Sequence, residues 1–255
     1  MTSWLRPVVD ALDAVRAPAV VCFRDDDVGW DDARLLALLD ALAPHAVTLD
    51  LAVIPAALRA PLAAELRHRA GPRLRLHQHG LAHVDHERAR RKCEFGPARS
   101  RAAQRTDIAA GRARLEAMLG AVDPVFTPPW NRCTDDTGRC LAELGYRVLS
   151  RESRAAPLGI SGLCEVPVHV DWVRLAPASA AAHLAEAIRT GRPAGVMFHH
   201  AEMGAASRAA AAELVALVGG HEHARPRSLL EAAGERAGPR FSPGTGCHTV
   251  RRPGA

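Results

Sequence analysis

Short runs of apolar and β-branched residues alternate with longer Ala/Leu/Arg stretches of helical period, and the alternation repeats seven times along the chain. The runs at 19–24, 46–54, 73–78, 124–127, 146–150, 163–170 and 195–198 read as strands. Asp31 and Asp32 stand where they can cap a helix running to about Leu42, and Pro55 opens another that ends before Gly71 and Pro72. A longer helix is expected over 98–119, stopping at Gly120. Thr134, with Asp135 and Asp136, starts the next, which ends at Gly145. Further helices fit 179–189, 205–218 and 226–233. Strands joined by helical crossovers predict a parallel α/β sheet, and seven such units favour a seven-stranded (β/α) barrel, distorted or incompletely closed, over an open doubly wound sheet. The expected organisation is one barrel domain over 1–233, followed by a Gly-, Pro- and Arg-rich tail, 234–255, that reads as poorly ordered.

The chain of 255 residues is 48% hydrophobic, enough for a sizeable core, and carries a net charge of +5. That charge comes almost entirely from arginine, because Lys92 is the only lysine. The arginines are scattered along the helices rather than clustered, and aromatic residues are only 4% of the chain, too few for a base-stacking surface. Nucleic acid is therefore not an expected partner, and the sequence is silent on oligomeric state. The apolar residues between Trp4 and Val20 are interrupted by Arg6, Asp10, Asp13 and Arg16, unlike an export signal, and no membrane-spanning run appears. The six cysteines, Cys22, Cys93, Cys133, Cys140, Cys164 and Cys247, form no CxxC pair. Together these features read as reduced thiols in a cytoplasmic protein, with a zinc site at Cys133 and Cys140 the weaker alternative.

Parallel α/β folds place their chemistry at the carboxyl ends of the strands, and the reactive side chains of this sequence collect there. Asp25, Asp26 and Asp27 follow the first strand; His77, His79, His83 and His86 lie at or after the end of the third; Pro128, Pro129, Trp130 and Asn131 follow the fourth. Asp171 and Trp172 follow the sixth, and His199 and His200 the seventh. His79 and His83 have i, i+4 spacing, which on a helical turn sets both imidazoles on one face within reach of a single ion. With a carboxylate from another strand end they form a set that leaves coordination positions open, the pattern of a catalytic metal. Three consecutive aspartates repel one another unless a cation or proton offsets them. Side chains alternate along a strand, so adjacent Asp26 and Asp27 point differently, and one can bind metal while the other acts on a proton.

The segment Arg24-Asp25-Asp26-Asp27-Val28-Gly29 resembles the first motif of the polysaccharide deacetylase superfamily, carbohydrate esterases that remove N- or O-acetyl groups from sugars. His77-Gln78-His79-Gly80-Leu81-Ala82-His83 resembles its second motif, and Phe126-Thr127-Pro128-Pro129-Trp130-Asn131 is similar to its third. Asp171-Trp172 is weakly similar to the fourth, and Met197-Phe198-His199-His200 resembles the fifth. The resemblance spans about Val20 to Glu202. It implies Asp27, His79 and His83 as metal ligands, Asp26 as general base and His199 as general acid, with adjacent His200 a second candidate for that role. Pro129, Trp130, Asn131, Arg132, Asp171 and Trp172 become candidate substrate contacts, with packing at the rim the alternative for both tryptophans. Thr127 stands where the family usually has an arginine that pairs with the base, so Asp26 must be oriented from elsewhere, by Arg132 or Arg24. His77 and His86 read as non-ligating. The loop from Lys92 to Gly96 lies over the rim without a role assignable from its chemistry.

The resemblance implies a metal-dependent hydrolase that removes acetyl groups from a carbohydrate or glycoconjugate, with zinc as the first expectation and cobalt, manganese or iron as others. Its cytoplasmic reading points to a precursor or intracellular glycoconjugate. One rival is a catalytically silent carbohydrate-binding homologue, which the missing arginine favours. Another is a non-haem iron oxygenase using His83, Asp85 and a distal histidine, against which the helical crossovers argue. A glycosidase using Asp26 and Asp171 across the groove is a third.

Overall fold

The computed structural model describes residues 3–88 and 90–236. Nine parallel strands lie in one curled sheet: β1 (Ala19–Val28), β2 (Leu49–Val53), β3 (Leu74–His79), β4 (Val125–Thr127), β5 (Val148–Leu149), β6 (Cys164–Glu165), β7 (Val170–Asp171), β8 (Ala194–Phe198) and β9 (Ala224–Pro226). Their order is β6-β5-β4-β3-β2-β1-β8-β7, with β9 beside the start of β1. Eight helices accompany them: α1 (Arg6–Ala14), α2 (Asp32–Leu42), α3 (Ala60–Arg69), α4 (Arg101–Leu119), α5 (Asp135–Glu143), α6 (Pro177–Arg189), α7 (Ala205–Gly220) and α8 (Leu229–Arg236). The architecture is a distorted (β/α) barrel. The tail expected from residue 234 begins inside α8, and residues 237–255, Cys247 among them, lie outside the described residues.

The single strand expected over 163–170 is divided, and the division explains the distortion. Pro167 has no N–H to give to a ladder. Before and across it, the chain follows β5 and its continuation, with Val166 N–H donating to Leu149 O at 3.0 Å and Val168 N–H to Arg151 O at 2.8 Å. From His169 the chain pairs with the other sheet end, where His169 N–H donates to Gly195 O at 2.7 Å and β7 pairs with β8. One extended segment therefore bridges both ends of the sheet with half of its length on each.

Helix starts follow the local chemistry. Asp31 caps α2 by accepting from the Arg34 N–H at 3.2 Å, and Thr134 caps α5 in a reciprocal capping box with Thr137. Apolar faces of the helices pack on the outward side chains of the strands, as Leu35, Leu38 and Leu42 of α2 and Leu214, Val215 and Val218 of α7 do around Phe23 and Phe198. Inside the barrel, a small cluster of Cys22, Val125, Val148 and Val166 is plugged from below by Leu229 and Ala232 of α8. The strands thus carry apolar side chains at their lower end and charged ones at their upper end. No helix among the described residues is long and apolar enough to cross a membrane.

One carboxylate departs from this layering. Asp50 of β2 is fully buried, and its Oδ2 accepts from the Leu229 N–H at the start of α8 at 3.0 Å while Oδ1 has no hydrogen-bond partner. Burial raises its pKa well above the ordinary carboxylate value, opposed by the Leu229 N–H. A raised folded-state pKa means stability that is present at low pH and lost as pH rises through that value. Asn keeps the acceptor for Leu229 and cannot ionise, so the stability of Asp50→Asn relative to wild type is expected to improve steadily from pH 5 to pH 9. Urea denaturation across that range measures it, and a constant difference would show that Asp50 does not change protonation on unfolding.

Candidate metal and catalytic site

The upper ends of β1, β3, β4 and β8 open into a cleft of about 600 Å³ whose lining includes Asp26, Asp27, His79, His83, Trp130, Asn131, Asp171 and His199. A larger hollow of about 940 Å³ around Arg16, Arg189 and Arg192 lies elsewhere and contains none of these groups.

The aspartate triplet is resolved by giving each carboxylate its own cationic surroundings. Asp25 is fully buried and faces away from the cleft: the His200 ring Nδ1 donates to Asp25 Oδ2 at 2.6 Å and its backbone N–H to Oδ1 at 3.0 Å. The other ring nitrogen of His200 donates to Trp30 O at 2.6 Å. Both nitrogens face pure acceptors, so the ring is an imidazolium. Burial opposes that charge, but Asp25 outweighs it and the pKa rises to about 9. His200 is consequently a locked structural ion-pair partner outside the cleft, and of the two adjacent histidines only His199 lines it.

Asp26, two residues after Arg24 on the same strand, is held in a bidentate fork, with Arg24 Nε to Oδ1 at 2.7 Å and Nη2 to Oδ2 at 2.9 Å. Arg24 is fully buried and also donates to Ser150 Oγ at 2.7 Å and Asn131 Oδ1 at 2.9 Å. Arg132, the other candidate for orienting Asp26, instead donates to the Lys92 carbonyl at 2.8 Å. Burial alone would raise the Asp26 pKa, but Arg24, with His79 and His199, outweighs it and holds the carboxyl below its ordinary value.

Asp27 lies within the register shift between Asp25 and Val28 of β1, with φ of 65°. That turn aims its Oδ1 at two imidazoles at once, 3.1 Å from His79 Nε2 and 3.2 Å from His83 Nε2. His79 ends β3, and its Nδ1–H donates to Thr127 O at 3.0 Å, leaving Nε2 toward Asp27. The helical turn expected between His79 and His83 is absent. The link is a bend with Gly80 at φ 55° and His83 at φ 57°, held because Glu94 accepts from the Leu81 and Ala82 N–H groups at 3.2 and 2.8 Å. A Cβ at Gly80 would meet Glu94 Oε2 at 2.2 Å and Pro129 Cδ at 2.6 Å, so the close approach as well as the positive φ requires glycine.

Three ligand atoms, one from each of these residues, lie within 4.8 Å of one another. Donors bound to one ion at about 2.1 Å sit roughly 3 Å apart, as the Asp27 pairs do. Burial would raise the Asp27 pKa, but the two imidazoles, which in the absence of an ion can donate to it from Nε2 only when that nitrogen is protonated, outweigh it and keep the carboxylate ionised. The donor set, its orientation and its charge fit a divalent cation.

Asp171 Oδ1 and His199 Nδ1 face each other at 3.8 Å, and neither atom has a hydrogen-bond partner among the described residues. Burial raises the Asp171 pKa despite His199 and Arg174 nearby. Trp130 lines the cleft with φ of 55°, its ring 4.3 Å from that of His83, and Trp30, 41% exposed, stands 4.7 Å from the same imidazole. Trp172 does not reach the cleft: it is buried against Trp4 and Phe198, and its Nε1–H donates to Ser207 Oγ at 3.0 Å. Its apolar bulk decided its place, and the packing alternative holds. Pro129 is likewise buried beneath Gly80 rather than lining the cleft. His77 donates or accepts at Thr127 Oγ1 at 2.9 Å, and burial lowers its pKa to about 3, so it stays neutral.

Solved structures share this arrangement of strands and helices. A protein from Mycobacterium smegmatis, provisionally assigned as a polysaccharide deacetylase, superposes with a TM-score of 0.66 at 18% identity over 95% of this chain and 96% of its own. The fold is that of the polysaccharide deacetylases. A family 4 acetyl xylan esterase from Clostridium thermocellum, solved with a cobalt ion, has the same deacetylase fold with a TM-score of 0.61 at 15% identity, covering 86% of this chain and 92% of that one. A family 4 pseudoenzyme from Bacillus anthracis matches with a TM-score of 0.58 at 12% identity, covering 86% of this chain and 66% of its own. No family model and no curated protein matches the sequence.

A second trio of potential ligands, Asp13, His221 and His223, meets the same spacing. There His221 Nδ1 accepts from the His223 N–H at 3.2 Å, so its Nε2 carries the proton and faces Asp13 at 3.3 Å. That proton stands between His221 and Asp13, while His223 Nδ1 is buried with no hydrogen-bond partner among the described residues.

Two outcomes are expected. Arg24→Gln leaves the Asp26 charge buried without its fork and costs roughly 3–5 kcal/mol; adding Asp26→Asn recovers a large part of that loss in chemical denaturation, and equal loss in the single and double variants would show that the fork is not what Asp26 depends on. The raised pKa of His200 contributes stability that is fully present below about pH 6.5, its unfolded value, and is lost as pH rises through about 9, on the order of 3 kcal/mol. Unfolding titrations from pH 6 to pH 10 should show that loss in wild type and not in His200→Gln.

Proposed function

We propose that the protein is a metal-dependent deacetylase that hydrolyses acetyl groups, N- or O-linked, from a carbohydrate or glycoconjugate. The observation that carries this reading is the coincidence in one cleft of an Asp27–His79–His83 donor set and a separately held carboxylate, Asp26, on the preceding residue of the same strand.

A divalent ion held by Asp27, His79 and His83 supplies Lewis acidity toward a carbonyl and makes nearby water more acidic. The residues of the chain supply the rest. Asp26 accepts the proton of the attacking water; Arg24 keeps it ionised and fixes its direction, so that it is available as a base at neutral pH. His199, facing Asp171 at 3.8 Å, delivers a proton to the leaving amine or alcohol, with Asp171 orienting its ring. Asn131, held by Arg24, and Trp130 form the wall against which the sugar lies. The metal is proposed as zinc first, with cobalt, manganese or iron as alternatives, and the cytoplasm as the compartment.

The fold alone does not carry turnover, since one of its neighbours is a pseudoenzyme. The reading of this chain as a silent carbohydrate binder rested on Thr127 in place of an arginine. Arg24 supplies the missing guanidinium from β1, and Thr127 meets His77 through its hydroxyl and His79 through its backbone carbonyl.

Purified protein is expected to carry about one equivalent of divalent metal and to release acetate from acetylated saccharides supplemented with zinc, cobalt or manganese. His79→Ala abolishes both. Asp26→Asn keeps the metal and lowers kcat by about 10²-fold or more. Full metal occupancy in His79→Ala by elemental analysis would refute the ligand set, and a metal-loaded wild type inert on every acetylated sugar would favour the binder.

A further inference from the structure

The fold gathers arginines that the sequence scatters. Arg91 and Lys92 come from the loop after β3, Arg132 from the segment after β4, Arg154 from the segment after β5 and Arg174 from the turn after β7, and all five line the cleft that holds the catalytic residues. Arg174 pairs with Asp171 at 3.0 Å. The other four make no ion pair with any described residue, and the carboxylates left at the rim are Glu152 and Glu202. The acidic floor does not balance them, because Asp26 is matched by Arg24 and Asp27 by the cation, or the protons, that it shares with the two imidazoles.

Arg91, Lys92, Arg154 and Arg174 are exposed around the mouth of the cleft. Arg132 is half-buried, its Nη1 committed to the Lys92 carbonyl and its Nε buried with no hydrogen-bond partner. Burial and the nearby charges of Arg91 and Arg174 lower its pKa, against the pull of Glu152. Gathering these cations around one mouth raises the local positive potential there, which draws an anionic ligand into the cleft.

We infer that the cleft is built for an anionic substrate: an acetylated sugar that also carries a phosphate or carboxylate, gripped by Arg91, Lys92, Arg132 and Arg154 while its acetyl group meets Asp26 and His199. This inference rests on the deacetylase reading for the acetyl group but not for the anion. Guanidinium forks from separate segments bind phosphate and carboxylate oxygens in pairs, which a neutral xylan- or chitin-like chain does not offer.

The test is a calorimetric titration, which needs no turnover, of N-acetylglucosamine, N-acetylglucosamine 1-phosphate, N-acetylmuramic acid and inorganic phosphate into the metal-loaded protein and into Arg91→Gln/Arg132→Gln. At least one anionic sugar is expected to bind about tenfold more tightly than N-acetylglucosamine in low salt, with the advantage shrinking as salt screens it. The double variant should keep its metal and lose the advantage. Which sugar leads distinguishes a phosphate from a carboxylate, and a response to inorganic phosphate that the double variant loses supports the same site. Equal affinity for neutral and anionic sugars, an advantage that survives in the double variant, or no binding of any of the four probes would overturn the inference. Anionic sugars that bind through these arginines yet release no acetate would instead sink the deacetylase reading and leave this one standing.

Discussion

Three consecutive aspartates can occupy the end of a buried strand only if each carboxylate is neutralised separately, and the rest of the upper barrel is arranged around that requirement. Alternation along β1 sends Asp25 outward to the His200 imidazolium and Asp26 inward to Arg24. Continued alternation would turn Asp27 outward again, but the shift in register and its left-handed backbone return it to the cleft, toward His79 and His83. The two inner carboxylates thereby acquire opposite characters. One is clamped by a fixed cation and left with a face for a proton, and the other is aimed at lone pairs that call for a movable one.

Backbone strain marks the same place. Five described residues other than glycine have positive φ, and Asp27, His83, Trp130 and Asn131 of these line the cleft. Such conformations cost about 1–3 kcal/mol each and persist where the surroundings over-determine them. Here the surroundings are named: Glu94 holds the bend before His83, Thr127 holds His79, and Arg24 holds Asn131. The strain lies where ligand directions are set, while the helices outside follow ordinary capping and apolar periodicity.

Much of this was legible in the sequence. The seven alternating segments specify the barrel, because period-2 and period-3.6 patterns depend only on which face is buried. The cleft residues at the strand ends were legible for the same reason, since parallel connectivity fixes which end carries them. Departures came where tertiary contact overrides local pattern. The segment 163–170 reads as one strand because its apolar content is continuous, yet joining two sheet ends divides it into β6 and β7. Spacing of i, i+4 does not reveal that His79 and His83 are joined by a glycine bend rather than a helix. Glu94 had a faint signal, an acid flanked by Cys93 and Phe95, but its task of accepting from two backbone N–H groups is invisible without coordinates. Trp172 looked like a rim aromatic because the end of a strand does not say whether its next side chain turns into the cleft or under it. The arginines appear scattered for the same reason that the site does not: convergence is a property of the fold, and only residues with recognisable chemistry announce it in advance.

The proposed chemistry depends on Asp27, His79 and His83 converging on one cation. Crystals grown with cobalt and measured at its absorption edge test that directly. One anomalous peak is predicted within about 2.3 Å of Asp27 Oδ1, His79 Nε2 and His83 Nε2 together, with Asp26 still in the Arg24 fork. A peak at Asp13, His221 and His223 with none in the cleft, or an ion in the cleft that Asp27 does not touch, would contradict it.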